Sequence, residues 1–61
     1  MDNDVIKKCL GKNCRVLCAG SGGINVVIGK IIDVTENWIE VETKKKSVLV
    51  NTEFTQTIEI D

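Results

Sequence analysis

The sequence predicts a mainly β fold, a short N-terminal helix followed by five short, strongly bent antiparallel strands that curl into a small barrel. Three observations carry this expectation. The period of the apolar residues changes from about 3.6 to about 2 after Gly11. A single glycine, Gly29, stands in the middle of a long, largely apolar run from Ile24 to Val34. Polar breaks at GSGG, TEN, TKKK and TEF divide the remainder into strand-length pieces. A flat sheet of this size would leave one apolar face in water, so closure is favoured over isolated hairpins or a two-layer α+β arrangement. Residues 1–61 are read as one domain.

Each element has a local reason. In DNDVIKKCLG, the spacing of Val5, Ile6, Cys9 and Leu10 predicts a helix over about 4–10, with Asn3 or Asp4 as cap and Gly11 as stop. Two helical turns do not persist alone in water, so their stripe must cover something, most simply the open end of the barrel. CRVLCA reads as a strand over about 14–18, with Val16 and Cys18 on one face and Arg15 and Leu17 on the other. The pattern does not choose between those faces. The second strand, about 24–34, is long, and Gly29 is its expected structural hinge, a bulge or tight bend at the barrel's corner. After TEN, the strand at about 37–43 places Ile39 and Val41 opposite Trp38, Glu40 and Glu42. TKKK closes a hairpin into the strand at about 46–51, where Val48 and Val50 oppose Leu49. TEF makes a corner, and the strand at about 55–60 buries Ile58 and Ile60 with Thr57 and Glu59 outward.

Composition narrows the function. A chain of 61 residues buries only about 60% of the surface it exposes unfolded, so self-association is a plausible aid. With 43% hydrophobic residues and no proline, it reads as a folding sequence. Eight basic against nine acidic residues give a net charge of -1, which supplies no general attraction to nucleic acid or anionic membrane. The start, MDNDVIKKCL, lacks an export pattern and no stretch is long enough to span a bilayer, so the expected location is cytoplasmic with no membrane partner. Three cysteines, an odd number, exclude a complete disulfide framework within one chain and fit a reducing compartment.

The stretches LGKNCRVLC, VVIGKIIDVTENWIEVE and SVLVNTEFTQTIEI together resemble the Sm-like small β-barrel, the fold of the Sm proteins and of the bacterial RNA chaperone of that class. SH3-like barrels, including the C-terminal barrel of ribosome-maturation proteins, share the pattern. The best point of likeness is GKIIDVTENWIEVE, with Gly29 at the glycine of the bent second strand and TEN at the polar turn. The resemblance implies a ring of identical subunits joined by edge-strand pairing, with RNA held by short loops at the pore. In the chaperone, the loop between the last two strands carries a lysine and a histidine. Asn51 and Thr52 stand there in this sequence, with neither charge nor imidazole, and of the arginine, glycine and asparagine that Sm proteins use there the resemblance offers a counterpart only for the asparagine, at Asn51.

The chemistry-bearing candidates are few. The run AGSGGINVVIGK does not match a phosphate-binding loop, because Lys30 is followed by Ile31 and a strand pattern follows the glycines instead of a helix. Cys9, Cys14 and Cys18 lack a CxxC pairing and the chain has no histidine, so no metal site is expected within one subunit. Cys9 and Cys18 are expected as buried thiols and Cys14 as partly exposed. No catalytic residue is assigned. Asp33 and Glu36, the one acid pair on offer, lie beside a turn where carboxylates are usually solvated. No cofactor and no small-molecule substrate are expected. Lys44, Lys45 and Lys46 form the only dense basic cluster and, with Asn51, are the candidate nucleic-acid contacts. Val27, Ile31, Trp38 and Leu49 are the candidate interface, four apolar side chains expected on the barrel's outside. The function expected is that of a non-catalytic, self-associating β module in a structural or protein-interaction role. The alternative is an Sm-like RNA-binding ring using the lysine-rich tip.

Overall fold

The computed structural model describes residues 3–20 and 22–61. The chain opens with a single helical turn, α1 (Asn3–Ile6), continued by a tighter 3₁₀ turn at Lys7–Cys9. Five strands follow: β1 (Asn13–Gly20), β2 (Gly23–Val34), β3 (Trp38–Glu42), β4 (Ser47–Asn51) and β5 (Thr55–Ile60), with a 3₁₀ turn at Thr52–Phe54 between the last two. All pairings are antiparallel and the order is β4-β3-β2-β1-β5. β4 and β5 therefore form the two outer edges of a sheet that is not closed.

One face of this sheet holds the core. Cys14, Val16 and Cys18 of β1 turn inward, which settles the face of the first strand, and they meet Ile31, Val34, Ile39, Val41 and Val50. Ile6 and Cys9 cover this cluster from the N-terminal turns. Burying a side chain the size of Ile31 or Ile39 contributes about 1.5–3 kcal/mol, so these few residues dominate a small core.

Long β2 serves two partners. Its residues from Gly23 to Lys30 pair with β1, and those from Lys30 to Val34 pair with β3. The register shifts between Ile31 and Asp33, which makes Ile32 the extra residue of a bulge and lets Ile31 and Val34 both point inward. Gly29 sits just before the exchange of partners. Its φ is not positive, the positive values being those of Gly11 and Gly23. What Gly29 provides is close approach: a Cβ there would collide with the Glu42 carbonyl oxygen and lie 3.0 Å from Val41 Cγ1.

Three expectations are corrected. The α-helix is shorter than 4–10, giving way to a 3₁₀ turn after Ile6, and of its stripe only Ile6 and Cys9 are buried while Val5 and Leu10 are exposed, because the change of helical period breaks the i, i+4 stripe. Cys14 is buried, not partly exposed, since it lies in phase with Val16. Ile60 opposes Cys14 and Ile58 opposes Val16, so both lie on the core face, yet Ile58 is only half-buried and Ile60 remains 49% exposed where the open sheet runs past its cover.

Candidate interaction site

The lysine turn is built by one threonine. Thr43 Oγ1 accepts from the backbone N–H of Lys45 (3.3 Å) and of Lys46 (3.1 Å) and donates to the Lys46 carbonyl (2.8 Å). The Thr43 N–H donates to the same carbonyl at 2.8 Å. This hydroxyl braces the turn by hydrogen-bonding its backbone, as Asn and Asp side chains do in other tight turns. Lys44, Lys45 and Lys46 are all exposed. Lys44 also edges an open cleft of about 400 Å³ with Asn13, Gly29, Lys30, Glu42 and Asp61, a setting of mixed charge.

Asn51 stands at the other end of β4. Its side-chain oxygen accepts from the Glu53 N–H at 2.9 Å and so caps the 3₁₀ turn, leaving it half-buried. The length of β4 separates it from the lysines, about 13 Å at strand rise. The structure does not bring the nucleic-acid candidates together.

The four interface candidates divide. Trp38, 44% exposed, and Leu49 lie on the outer face, where the register makes them diagonal neighbours across β3 and β4. Ile31 is fully buried and Val27 is half-buried against the core. These two are corrected to the inner face. The outer face of β2 instead presents Ile24, Val26 and Ile28, exposed by 61%, 51% and 62%, beside Leu17 and Ala19 of β1. Sequence reading missed this set, although the outward charge of Lys30 two positions past Ile28 gives the phase.

A second groove, about 320 Å³, runs between the N-terminal turns and β5 and is lined by Val5, Ile6, Cys9, Ile58 and Ile60. Asn3 pins those turns from the far side, its amide donating to the carbonyls of Glu36 (2.7 Å) and Thr35 (3.2 Å). The three cysteines are free thiols. Burial is the main cause raising the Cys14 and Cys18 thiols above their ordinary value of 9.0, with the neighbouring Cys9 adding to the rise at Cys14. Among the described residues, no group of three or more metal-capable side chains gathers. Asp33 and Glu36 are both exposed. No helix among the described residues is long and apolar enough to cross a membrane. No protein-family model, curated protein or solved structure matches the chain.

Proposed function

We propose that this chain is a non-catalytic small β module, an open barrel of the Sm-like or SH3-like kind, that associates with copies of itself in a structural or protein-interaction role. The observation that carries this reading is the amount of apolar surface left outside the core. Ile24, Val26 and Ile28 form one exposed set and Trp38 with Leu49 another, on a domain too small to stabilise itself generously. The open sheet adds unpaired strand edges, which recruit further strands through main-chain hydrogen bonds. Nothing in this role requires a covalent step. Sedimentation velocity across a wide concentration range is the test: association that rises with concentration supports the reading, and a strict monomer at high concentration ends it.

A second reading, an RNA-binding ring, is favoured by one feature, the three lysines held on an ordered, exposed turn. A ring would repeat that turn once per subunit and convert weak phosphate contacts into an avid surface. Titration with short A-rich and U-rich RNAs at physiological salt distinguishes it. Affinity lost when Lys44, Lys45 and Lys46 become glutamate supports the ring, and absence of binding by the unmodified chain refutes it.

A further inference from the structure

β4 and β5 are the ends of the strand order, but the sheet has a third unpaired edge within it. From Gly23 to Gly29, β2 has β1 on one side and no described strand on the other, because β3 begins its pairing only at Lys30. The direction of the backbone groups follows from two bonds. Ile31 donates its N–H to the Lys12 carbonyl (3.1 Å) and accepts from the Gly11 N–H (2.7 Å), so residue 31 points its main chain toward the β1 side. The Asn13 carbonyl is turned to the Asp61 N–H on the β5 side (3.0 Å), which makes its pair with Lys30 a non-hydrogen-bonded one. Alternation along the strand then directs the N–H and C=O of Ile24, Val26 and Ile28 away from β1, those of Ile24 and Val26 toward no described strand and those of Ile28 toward the cleft it shares with Thr43 and Lys44. The same three residues carry the exposed apolar side chains of the outer face.

This edge is chemically unlike the other two. β4 begins beside Lys44–Lys46, and β5 carries Glu59 and is followed by Asp61, charges of the kind that discourage edge pairing. From Ala19 to Gly29 there is neither a charge nor a proline. We infer that the Gly23–Ile28 edge of β2 docks a second copy of this chain, the two segments pairing antiparallel across a twofold axis at Val26. This deepens the self-association reading and rests on it.

A second copy fits because the segment is complementary to itself. Opposed residues in an antiparallel pair share a face, so only registers that match like faces are allowed. Centring on Val26 opposes Val26 with Val26 and Ile24 with Ile28, which gives every outward-directed N–H and C=O of the three residues a partner. All of the exposed branched side chains then fall in one continuous outer cluster flanked by Leu17. A shift of two residues in one direction would place Ile24 against Lys30, and in the other would place Ile28 against Gly22, in the partner's tip before its strand begins. Absence of charge matters most under a twofold, since any charge near the axis would meet its own copy. The partner's tip at Gly22 and Gly23 would reach the Thr43–Lys46 turn, and a Cβ at neither glycine meets anything within 4 Å.

The experiment uses the full chain with two readouts. Sedimentation velocity compares the unmodified protein, Val26→Lys, which opposes two lysines at the axis, and Leu49→Lys on the outer face of β4. The expected result is a dimer for the unmodified chain and for Leu49→Lys, and a dissociation constant raised on the order of a hundredfold for Val26→Lys. Amide exchange by NMR on the unmodified chain stands independently of whether Val26→Lys folds. The amides of Ile24, Val26 and Ile28 should gain protection with concentration, while those of Asn25 and Val27, directed at β1, should not. A chain that stays monomeric overturns both this inference and the reading beneath it. A chain that associates without concentration-dependent protection at those three amides, or whose assembly Leu49→Lys breaks and Val26→Lys spares, overturns the β2 edge alone.

Discussion

Replacing Gly29 by alanine isolates the role of close approach at the point where β2 changes partner. The added Cβ would meet the Glu42 carbonyl oxygen head-on, with the Glu42 carbonyl carbon at 2.9 Å and Val41 Cγ1 at 3.0 Å. Two of these three atoms are backbone of a paired strand, so β3 must shift as a unit or β2 must bow away. Overpacking of this kind costs about 1–3 kcal/mol, and alanine returns about 0.4–1 kcal/mol by narrowing the unfolded ensemble. The net loss is about 1–2 kcal/mol against a total stability of about 3–9 kcal/mol for a domain of 61 residues. Urea unfolding at fixed protein concentration reads this as a fall in midpoint of about 1–2 M, at the small slope expected for so short a chain. Gly22→Ala is the matched control, because its φ is not positive and nothing lies within 4 Å of the new methyl group. It should be unchanged or slightly stabilised. If Gly29→Ala unfolds at the same midpoint as Gly22→Ala, the close-approach argument fails.

Two further perturbations probe the lysine turn and the thiols. Thr43→Val removes a hydroxyl that accepts two N–H groups and donates to the Lys46 carbonyl, and should cost about 1 kcal/mol in urea unfolding while lowering the NMR order parameters of Lys44–Lys46; unchanged order would show that the turn is held otherwise. Because the Cys14 and Cys18 thiols are raised above 9.0 in the folded chain, the native state keeps its protons where the unfolded state loses them. Stability should therefore be level below about pH 9 and fall as pH rises beyond it, until the folded thiols themselves ionise. Replacing both residues with alanine should flatten that decline in a pH series of denaturation curves, and an unaltered slope would assign it to other groups.

How far the sequence reveals this molecule depends on contrast between faces. β3, with Ile39 and Val41 against Glu40 and Glu42, and β4, with Val48 and Val50 against Leu49, are legible because alternation and the turns beside them agree. β2 is not legible in the same way. Ile24, Val26, Val27, Ile28, Ile31 and Ile32 load both faces with apolar residues, so apolar periodicity alone cannot say that Val27 and Ile31 turn inward, and the phase signal is left to the charge of Lys30. The bulge at Ile32 then changes the phase within the strand. Gly29 stands out in the sequence as the glycine of a long strand, but the close approach of Glu42 to it was not readable, since that depends on where β3 ends. Asn51 reads as a loop polar group in sequence and proves to be a cap, a role fixed by the 3₁₀ turn that follows it. The lysine cluster is visible in any composition scan, whereas its ordering by Thr43 requires the turn geometry.

The mismatch of strand lengths links these failures to the exposed surface. β2 has 12 residues and β3 and β4 have five each, so a sheet built from them must leave part of β2 without a neighbour on one side. A soluble chain under pressure to remain alone would place lysine, proline or a bulge along such a stretch. The bulge here lies at Ile32, within the paired half, and the lysines lie at the short β3–β4 turn. The unpaired half keeps branched apolar side chains outside, where Ile24 and Val26 have cross-strand neighbours, Ala19 and Leu17, on the β1 side alone. Branched residues favour strands through packing against cross-strand neighbours, so at this edge they gain most when another strand arrives. The apolar residues that hide the face of β2 from sequence periodicity are thus the ones a neighbouring copy would cover.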